Sequence, residues 1–267
     1  MERPLVSVIT IVFNGENVIG KTIESVLKQT YTNIQYIIID GGSTDSTPSI
    51  IQHYKDRLYY WESESDRGIS HAFNKGISRA TGSIIGIINA SDWYEEDAVE
   101  KIVKHFTNND VIYGKLRCWS NSQPLYVQEA NHTKLNREMT VNHPTVFVRK
   151  KIYSDFGFFD ERWLCAMDYD LLLRFYINGV TFSYIDEILS NMQLNGKSNT
   201  NWLLSCSETL QIKNKLLPKQ RIKHYLYFIK HTAAIILPRV LWSVGLGPLV
   251  VWYRGRKKEL KKNYLKI

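Results

Sequence analysis

The chain of 267 residues is 44% hydrophobic and 22% charged, with a formal net charge of +8. This composition is typical of a globular protein with one substantial core. The three cysteines, Cys118, Cys165 and Cys206, are widely spaced and form no C-x-x-C pair. They argue against a disulfide scaffold or a zinc site and favour a reducing compartment.

Apolar runs and helical patterns alternate along the first 115 residues. Runs rich in Val and Ile predict buried strands, and apolar residues at helical spacing predict helices between them. The predicted strands cover residues 5–13, 34–40, 58–64, 83–89 and 110–116, and the predicted helices cover 17–30, 43–57, 68–81 and 95–109. This alternation is typical of a parallel, doubly wound sheet with helices on both faces.

Polar and acidic residues follow four successive predicted strands. They are Asn14, Glu16, Asp40, Glu64, Asp66, Asn89 and Asp92. Ligands of such sheets bind beyond the carboxyl ends of the strands. We therefore expect these side chains to share one rim, which is the predicted active site.

The second half of the chain has a weaker pattern. Residues 116–140 are polar and show no periodicity, so we predict irregular structure there. Residues 142–153 predict a strand with a basic exit, and residues 157–179 predict a loop leading into a helix. The one plausible domain boundary lies near Leu217-Pro218.

The C-terminal segment, residues 219–267, is both basic and apolar. It holds 12 Lys and Arg against one acidic residue, while the rest of the chain is slightly acidic. Its apolar run is interrupted by Pro238, Arg239, Gly245, Gly247 and Pro248, which disfavours a membrane-spanning helix. Its Trp, Tyr, Lys and Arg residues suit a membrane surface with anionic lipid. A packed helical element and a nucleic-acid patch are the alternatives. With no signal peptide visible, we predict peripheral attachment at the cytoplasmic face of the cell membrane and no nucleic-acid partner.

Several common enzyme motifs are absent. The first strand–helix turn, NGENVIG, lacks G-x-G-x-x-G, and the chain contains neither G-x-x-x-x-G-K-[ST] nor G-x-S-x-G. A dinucleotide-dependent oxidoreductase, a P-loop NTPase and an α/β-hydrolase are therefore disfavoured. An acidic rim suits a nucleotide sugar instead. Carboxylates accept hydrogen bonds from the base and the ribose, and they bind a divalent cation that bridges the diphosphate.

Four stretches of the chain form a recognisable set: VSVITIVFNGENVIGKTIESVLKQTYTNIQYIIIDGGSTDST, ESDRGISHAFNKGISRATGSIIGIINASD, HPTVFVRK and GFFDERWLCAMDYDLLLR. In this order they resemble the motifs of the family 2 glycosyltransferases. The resemblance implies a GT-A-like α/β fold, transfer with inversion from a nucleoside-diphosphate sugar, and Mg²⁺ or Mn²⁺ as cofactor. It divides the chain into a catalytic domain, 1–218, with a nucleotide-sugar-binding half (1–115) and an acceptor-binding half (116–218), followed by the membrane-associating segment 219–267.

The resemblance also assigns the donor pocket. Asp40 is expected to accept from the base, with Asn14 and Glu16 lining the same pocket, whereas the alternative for Asp40 is a turn residue. Asp66 and Arg67 are expected to border the ribose and phosphates. Arg67 in a structural ion pair with a rim acid is the alternative. Asn74 is expected at the donor, or as a hydrogen-bonded packing residue.

The family's Asp-x-Asp-Asp turn is Asn89-Ala90-Ser91-Asp92 in this chain. Asn89 and Ser91 are expected at the nucleotide sugar. Asp92 is the expected cation ligand, since Mg²⁺ is commonly held by one or two protein carboxylates. His143 is a further candidate ligand or a contact of the donor, and a structural histidine is the alternative. The loss of two acids puts the metal affinity in doubt.

The resemblance places the catalytic base in the second half. Asp168 matches the aspartate of the family's Glu-Asp segment, and Asp170 is the competing candidate. Asp160 and Glu161 are expected to orient the acceptor or cap the helix. Lys197 and Ser198 lie in a segment that is similar to the family's flexible lid loop, for which a plain surface loop is the alternative.

The predicted function is a non-processive inverting glycosyltransferase. It would extend a lipid-linked saccharide from a nucleotide-sugar donor, with a UDP-sugar expected from family frequency, in cell-surface polysaccharide synthesis of the capsule or O-antigen kind. The absence of Q-x-x-R-W argues against a processive polymer synthase. The alternative is a non-catalytic protein that binds nucleotide sugars or a lipid surface.

Overall fold

The computed structural model describes residues 3–120, 122–194, 201–243, 245–246 and 248. The chain divides into two compact units, residues 1–201 and 202–267. The boundary predicted near residue 218 falls inside the second unit. The division predicted between residues 115 and 116 falls inside a strand of the first unit, Val111–Ser120.

Four parallel strands form the first part of the sheet. They are β1 (Val6–Val12), β2 (Ile34–Asp40), β3 (Tyr60–Ser63) and β4 (Ile84–Asn89), in the order β3-β2-β1-β4. Helices α1 (Ile19–Leu27), α2 (Thr47–His53) and α3 (Ile69–Arg79) connect them. Most Val and Ile side chains of β1, β2 and β4 are almost fully buried, as expected of parallel strands that are covered on both faces. The predicted pattern for the first half is confirmed.

The later strands extend this sheet in mixed directions. They are β5 (Asp92–Tyr94), β6 (Val111–Ser120), β7 (Gln123–Gln128), β8 (Phe147–Arg149) and β9 (Phe182–Gln193). The order continues β4-β8-β6-β9-β5, with β7 on β6. Strand β8 pairs antiparallel with β4, and β5 pairs antiparallel with β9, whereas β9 pairs parallel with β6. The sheet is therefore mixed rather than mostly parallel.

Helices and turns separate these later strands. Helix α4 (Ala98–His105) precedes β6, a 3-10 turn (His143–Thr145) precedes β8, and α5 (Lys150–Phe156) and α6 (Met167–Ile177) lie between β8 and β9. The prediction of irregular structure at 116–140 is wrong for β6 and β7. All six residues of β7 are exposed, so no alternation of apolar and polar residues marks that strand.

The two halves of the sheet meet where β8 pairs with β4. Gly86 lies opposite Phe147, and a Cβ atom on Gly86 would lie 2.3 Å from Phe147 Cε1. The Phe147 ring is fully buried and packs against Tyr94, with ring centroids 5.5 Å apart. Position 86 must therefore be a glycine for β4 and β8 to pair while the Phe147 ring lies between Gly86 and Tyr94.

The second unit contains two helices in its described part, α7 (Trp202–Leu216) and α8 (Arg221–Ser243). Helix α8 contains Pro238 and carries an exposed row of apolar side chains. The row comprises Ile222, Leu226, Ile229, Leu237 and Val240, which are 48% to 77% exposed. No helix among the described residues combines the length and hydropathy needed to cross a membrane.

Replacing Gly86 with Ala should destabilise the first unit. The added methyl group collides with a ring that is buried on all sides, so we expect the free energy of unfolding to fall by roughly 1 to 3 kcal/mol. Chemical denaturation measures this change. Gly20→Ala is the matched control, because a Cβ there has no neighbour within 4 Å and alanine favours a helix. Equal effects of the two substitutions would contradict the packing argument.

Candidate active site

The loops after β1 and β2 are joined by hydrogen bonds. Asn14 has a left-handed backbone (φ 49°), which asparagine tolerates better than most residues. Its N–H donates to Ser43 Oγ (2.7 Å), and its Oδ1 accepts from the Thr44 N–H (2.9 Å). Glu16 Oε2 accepts from the Ser46 N–H (3.0 Å). Asn14 and Glu16 thus lie together on the rim, as the sequence predicts.

Asp40 is the buried centre of this rim. Its carboxylate is fully buried and accepts from Ser43 Oγ (2.5 Å), the Ser43 N–H (3.1 Å) and Ser63 Oγ (2.5 Å). These bonds fix the loop after β2 to the end of β3. The geometry matches the turn-residue alternative for Asp40, and its contact with a base stays a prediction.

Asp66 closes over the same loop. Its Oδ1 accepts from the Gly68 N–H at 2.8 Å. A Cβ atom on Gly41 would lie 2.5 Å from Asp66 Oδ2, so the carboxylate rests against the backbone just beyond Asp40. The missing side chain at Gly41 is what lets the turn at Asp66 approach the rim.

The turn after Asp66 is tied to the second half of the sheet. Arg67 donates to Glu161 Oε2 at 2.8 Å. Asn74 Nδ2 donates to the Phe159 carbonyl, and the Phe159 N–H donates to Asn74 Oδ1, both at 3.0 Å. The contact of Arg67 is the structural ion pair that was the alternative for this residue. The contacts of Asn74 are those of the hydrogen-bonded packing residue that was its alternative. Both residues hold the loop 157–166 against α3.

Asp168 lies beyond this loop, in the first turn of α6. It is half-buried, and its Oδ1 accepts from the Tyr169 N–H at 2.8 Å. Desolvation raises the pKa of the Asp168 carboxyl, and the neighbouring His143 opposes this shift. Burial lowers the pKa of His143, although Asp168 partly offsets the effect. The His143 ring packs against Phe73 of α3 and against Phe159, with centroids 5.5 and 5.9 Å apart.

The other acids of this region are held by arginines. Asp160 forms an ion pair with Arg162 at 2.6 Å. Asp170 is fully buried and pairs with Arg174 at 2.8 Å, so it serves helix α6. Lys197 and Ser198 lie outside the described residues.

The turn from Asn89 to Asp92 is bound to α1 through Thr22, which sequence reasoning missed. Thr22 Oγ1 donates to the carbonyls of Ala90 (2.9 Å) and Asp92 (2.7 Å). Asn89 Oδ1 and Asp92 Oδ1 are buried and have no hydrogen-bond partner. Nothing in the local sequence around Thr22 indicates that its hydroxyl binds a turn about 70 residues further along the chain.

Asp92 is buried in an apolar setting. Its carboxyl is 2% exposed, and desolvation raises its pKa to about 7, although a hydrogen bond from Ser91 lowers it. Its charge acts on Tyr94 and Cys118, which are buried beside it. At neutral pH the carboxyl is therefore only partly ionised.

At this turn the side chains offer an Mg²⁺ or Mn²⁺ ion one carboxylate, that of Asp92, and the unpartnered amide oxygen of Asn89. An Mg²⁺ ion is commonly held by one or two protein carboxylates, with waters and substrate phosphates as its other ligands. Ser91 stands in the Asp-x-Asp pattern where a second acid is expected, and Asp92 is desolvated. The charge of Asp168 acts on His143. In the described ranges, no three His, Cys, Asp or Glu side chains converge on a point where a metal ion would sit. The expectation that Asp92 and His143 bind a cation stays a prediction.

Comparisons with known proteins agree with this architecture. Residues 7–165 match the sequence family Glycosyl transferase family 2. The chain is 30% identical to the chondroitin synthase of Escherichia coli over 240 residues, which is 84% of this chain and 34% of that protein. It therefore spans about a third of that relative.

Two solved structures share the fold. S. aureus TarS (residues 1–349, in complex with UDP-GlcNAc) has a TM-score of 0.66 at 18% identity, covering 79% of this chain and 65% of that one. The mannosyltransferase PcManGT of Pyrobaculum calidifontis, in complex with GDP-Man and Mn²⁺, has a TM-score of 0.67 at 18% identity, covering all of this chain and 83% of that one. At this identity the likeness shows the fold alone, and the predicted GT-A-like α/β fold is confirmed.

The stability of the protein should reveal the state of Asp92. Its folded-state pKa of about 7 lies above the value of about 4 in an unfolded chain. The folded chain therefore holds an extra proton between those values, and the free energy of unfolding decreases as the pH rises through that window. Asp92→Asn abolishes this loss. We expect the variant to gain roughly 2 to 3 kcal/mol relative to wild type between pH 5 and pH 8.

Denaturation at both pH values, with and without millimolar MnCl₂, measures this gain. Asp56→Asn is the control, because it makes the same substitution at an exposed position and leaves Asp92 in place. A Mn²⁺-dependent stabilisation of the wild type that Asp92→Asn lacks would instead establish Asp92 as a cation ligand.

Proposed function

Because the chain belongs to glycosyl transferase family 2, we propose that it transfers a sugar from a nucleoside-diphosphate donor to an acceptor hydroxyl with inversion at the anomeric carbon. Asp168 is the general base. It takes the proton of the acceptor hydroxyl while that oxygen bonds to the anomeric carbon. The bond between that carbon and the diphosphate oxygen breaks, and the nucleoside diphosphate leaves from the opposite face.

The environment of Asp168 supports this role. A catalytic base works best when its pKa lies close to the operating pH, and desolvation moves the Asp168 pKa in that direction. His143 and the first turn of α6 keep the carboxylate form accessible, since a helix N-terminus favours negative charge. Asp170 lacks this freedom because it is fully buried in the ion pair with Arg174.

The observation that carries the proposal is the connection between Asp168 and the rim. His143, beside Asp168, packs on Phe73 of α3, and α3 begins directly after the Asp66 turn. Asn74 and Arg67 bind the loop that leads to α6. One contact network therefore fixes the base relative to the rim where the donor is expected.

The donor is a nucleotide sugar, with a UDP-sugar as the first candidate. The TarS structure is in complex with UDP-GlcNAc and that of PcManGT is in complex with GDP-Man, so both nucleotides belong in the first screen. The rim offers Asn14, Glu16 and Asp66 to the base, ribose and phosphates. Asp92 is the residue that would hold a divalent cation, which would neutralise charge on the departing diphosphate.

The acceptor is a lipid-linked saccharide at the cytoplasmic face of a membrane. The apolar row of α8 supports this, since its members recur at intervals of three, four and seven or eight residues on one side of the helix. Lys and Arg residues flank the row, and seven more follow Tyr253 in the sequence. An apolar helix face with basic neighbours binds the headgroup region of anionic membranes.

Asp168→Asn should strongly slow transfer without unfolding the protein. We expect kcat to fall by roughly 10² to 10⁴ while the KM for the donor changes little. For the wild type, kcat should fall as the pH drops below the raised pKa of Asp168, because a protonated carboxyl accepts no proton. Initial rates with a panel of UDP- and GDP-sugars measure both effects.

Asp170→Asn is the matched control. It breaks a buried ion pair and should lower the free energy of unfolding by roughly 3 kcal/mol, with kcat retained by the folded fraction. The reverse pattern, with rate lost at Asp170 and retained at Asp168, would move the base to Asp170. Binding of nucleoside diphosphates without turnover of any donor would favour the non-catalytic alternative.

Glutamate in the α8 row should weaken membrane binding. Leu226→Glu and Leu237→Glu each remove a side chain that would enter the headgroup region, so we expect partitioning onto phosphatidylglycerol-containing vesicles to fall roughly tenfold. Vesicle co-sedimentation measures this. His231→Glu adds the same charge on the opposite side of α8 and should reduce binding less. Equal losses from all three variants would indicate a charge effect alone.

A further inference from the structure

A separate cavity of about 300 Å³ lies where β5, β9 and β6 run side by side. Trp93 pairs with Asn191, and Asn191 pairs with Arg117, while Asp92 pairs with Met192. Paired residues on neighbouring strands point to the same side of a sheet. Trp93, Asn191 and Arg117 therefore share one face, and Asp92 points to the other.

The floor of this cavity is a fixed set of planar polar groups. Arg117 Nη1 donates to Glu95 Oε1 (2.7 Å), and Asn191 Nδ2 donates to the same oxygen (2.9 Å). Trp119 Nε1 donates to Asn191 Oδ1 at 2.7 Å. Asn191 is 1% exposed, so this arrangement is rigid before any ligand arrives.

Two indole rings form the wall. The centroids of Trp93 and Trp119 are 5.6 Å apart, with 49° between the ring planes. The Lys21 ammonium lies 3.0 Å from the Trp93 centroid and 5.8 Å from that of Trp119. Lys21 is exposed on α1 and is attached by a flexible stem. It can therefore swing away and leave the indole face to a ligand.

The charges around the cavity are balanced. Three basic and three acidic side chains line it: Lys21, Lys28, Arg117, Glu24, Glu95 and Glu96. A site for a phosphate or another anion would carry an excess of positive charge. The volume is at the lower end of the range for small-molecule sites, which combine aromatic walls with a few fixed polar groups.

We propose that the Trp93–Trp119 cavity binds a neutral sugar ring of the acceptor saccharide, at a distance from the transferred group. A pyranose has an apolar C–H face that stacks on indole, and its hydroxyls hydrogen-bond to carboxylate, guanidinium and amide groups. Trp93 directly follows Asp92, so the cavity adjoins the end of the rim on the opposite face of the sheet. The identity of the ligand as acceptor rests on the proposed function, whereas sugar binding itself does not.

Binding of chitotetraose and maltotetraose to the full chain tests this, using the indole N–H signals in NMR spectra. We expect saturable shifts of the Trp93 and Trp119 signals with at least one of these neutral probes. Trp93→Ala should weaken binding by about tenfold and Trp93→Phe by less, since a smaller ring still stacks. Trp242→Ala, which removes an exposed tryptophan of α8, is the matched control and should bind as wild type.

Lys21→Ala is a second test, which keeps both tryptophans and so does not depend on whether the tryptophan variants fold. It uncovers the Trp93 face without altering the wall, so binding should be retained or strengthened. Absence of saccharide binding in both the wild type and Lys21→Ala would overturn the proposal. So would a response to tetramethylammonium alone, which would indicate a site for cations. Asp168→Asn should bind the probes as the wild type does, because Asp168 is not part of the cavity. Saccharide binding at the cavity can therefore be tested even if the chain proves to have no transfer activity.

Discussion

The contact between the Phe147 ring and the Cα of Gly86 joins the two halves of the sheet. It lets β8 pair antiparallel with β4, so that β6, β9 and β5 continue a sheet that begins as four parallel strands. The 3-10 turn with His143 immediately precedes β8. The position of that turn, and with it the partner of Asp168, therefore depends on how closely one aromatic ring can approach one backbone.

Three aspartates of the candidate site show how environment assigns different tasks to one side chain. Asp40 is fully buried but has three hydrogen-bond donors, so it orders loops. Asp92 is as buried and has an unpartnered oxygen, so it holds its proton up to about pH 7. Asp168 is half-buried at a helix start beside a histidine. Only this third setting combines access with a shifted proton affinity, as general-base chemistry requires.

The sequence was informative where a local pattern dictates structure. The Val and Ile runs predicted β1, β2 and β4, and the polar residues after them predicted a shared rim. Strand β7 was missed because exposed strands carry no burial pattern, and β5 was missed because three residues are too few to show one. The partners of Arg67 and Asn74 lie 94 and 85 residues away in the sequence, beyond any local signal. The burial of Asp92 depends on which face of β5 it occupies, and only the pairing with β9 decides that.

The alternation along β5 has a consequence for how the segment from Asn89 to Tyr94 tolerates change. Asp92 and Tyr94 enter the core, while Trp93 between them enters the cavity on the other face. Substitutions that keep the residue count leave this division intact, even where an acid becomes Asn or Ser. Inserting or deleting a single residue would exchange the two sets, placing an indole in the core and a carboxyl in the cavity. Length, rather than composition, is what this turn must preserve.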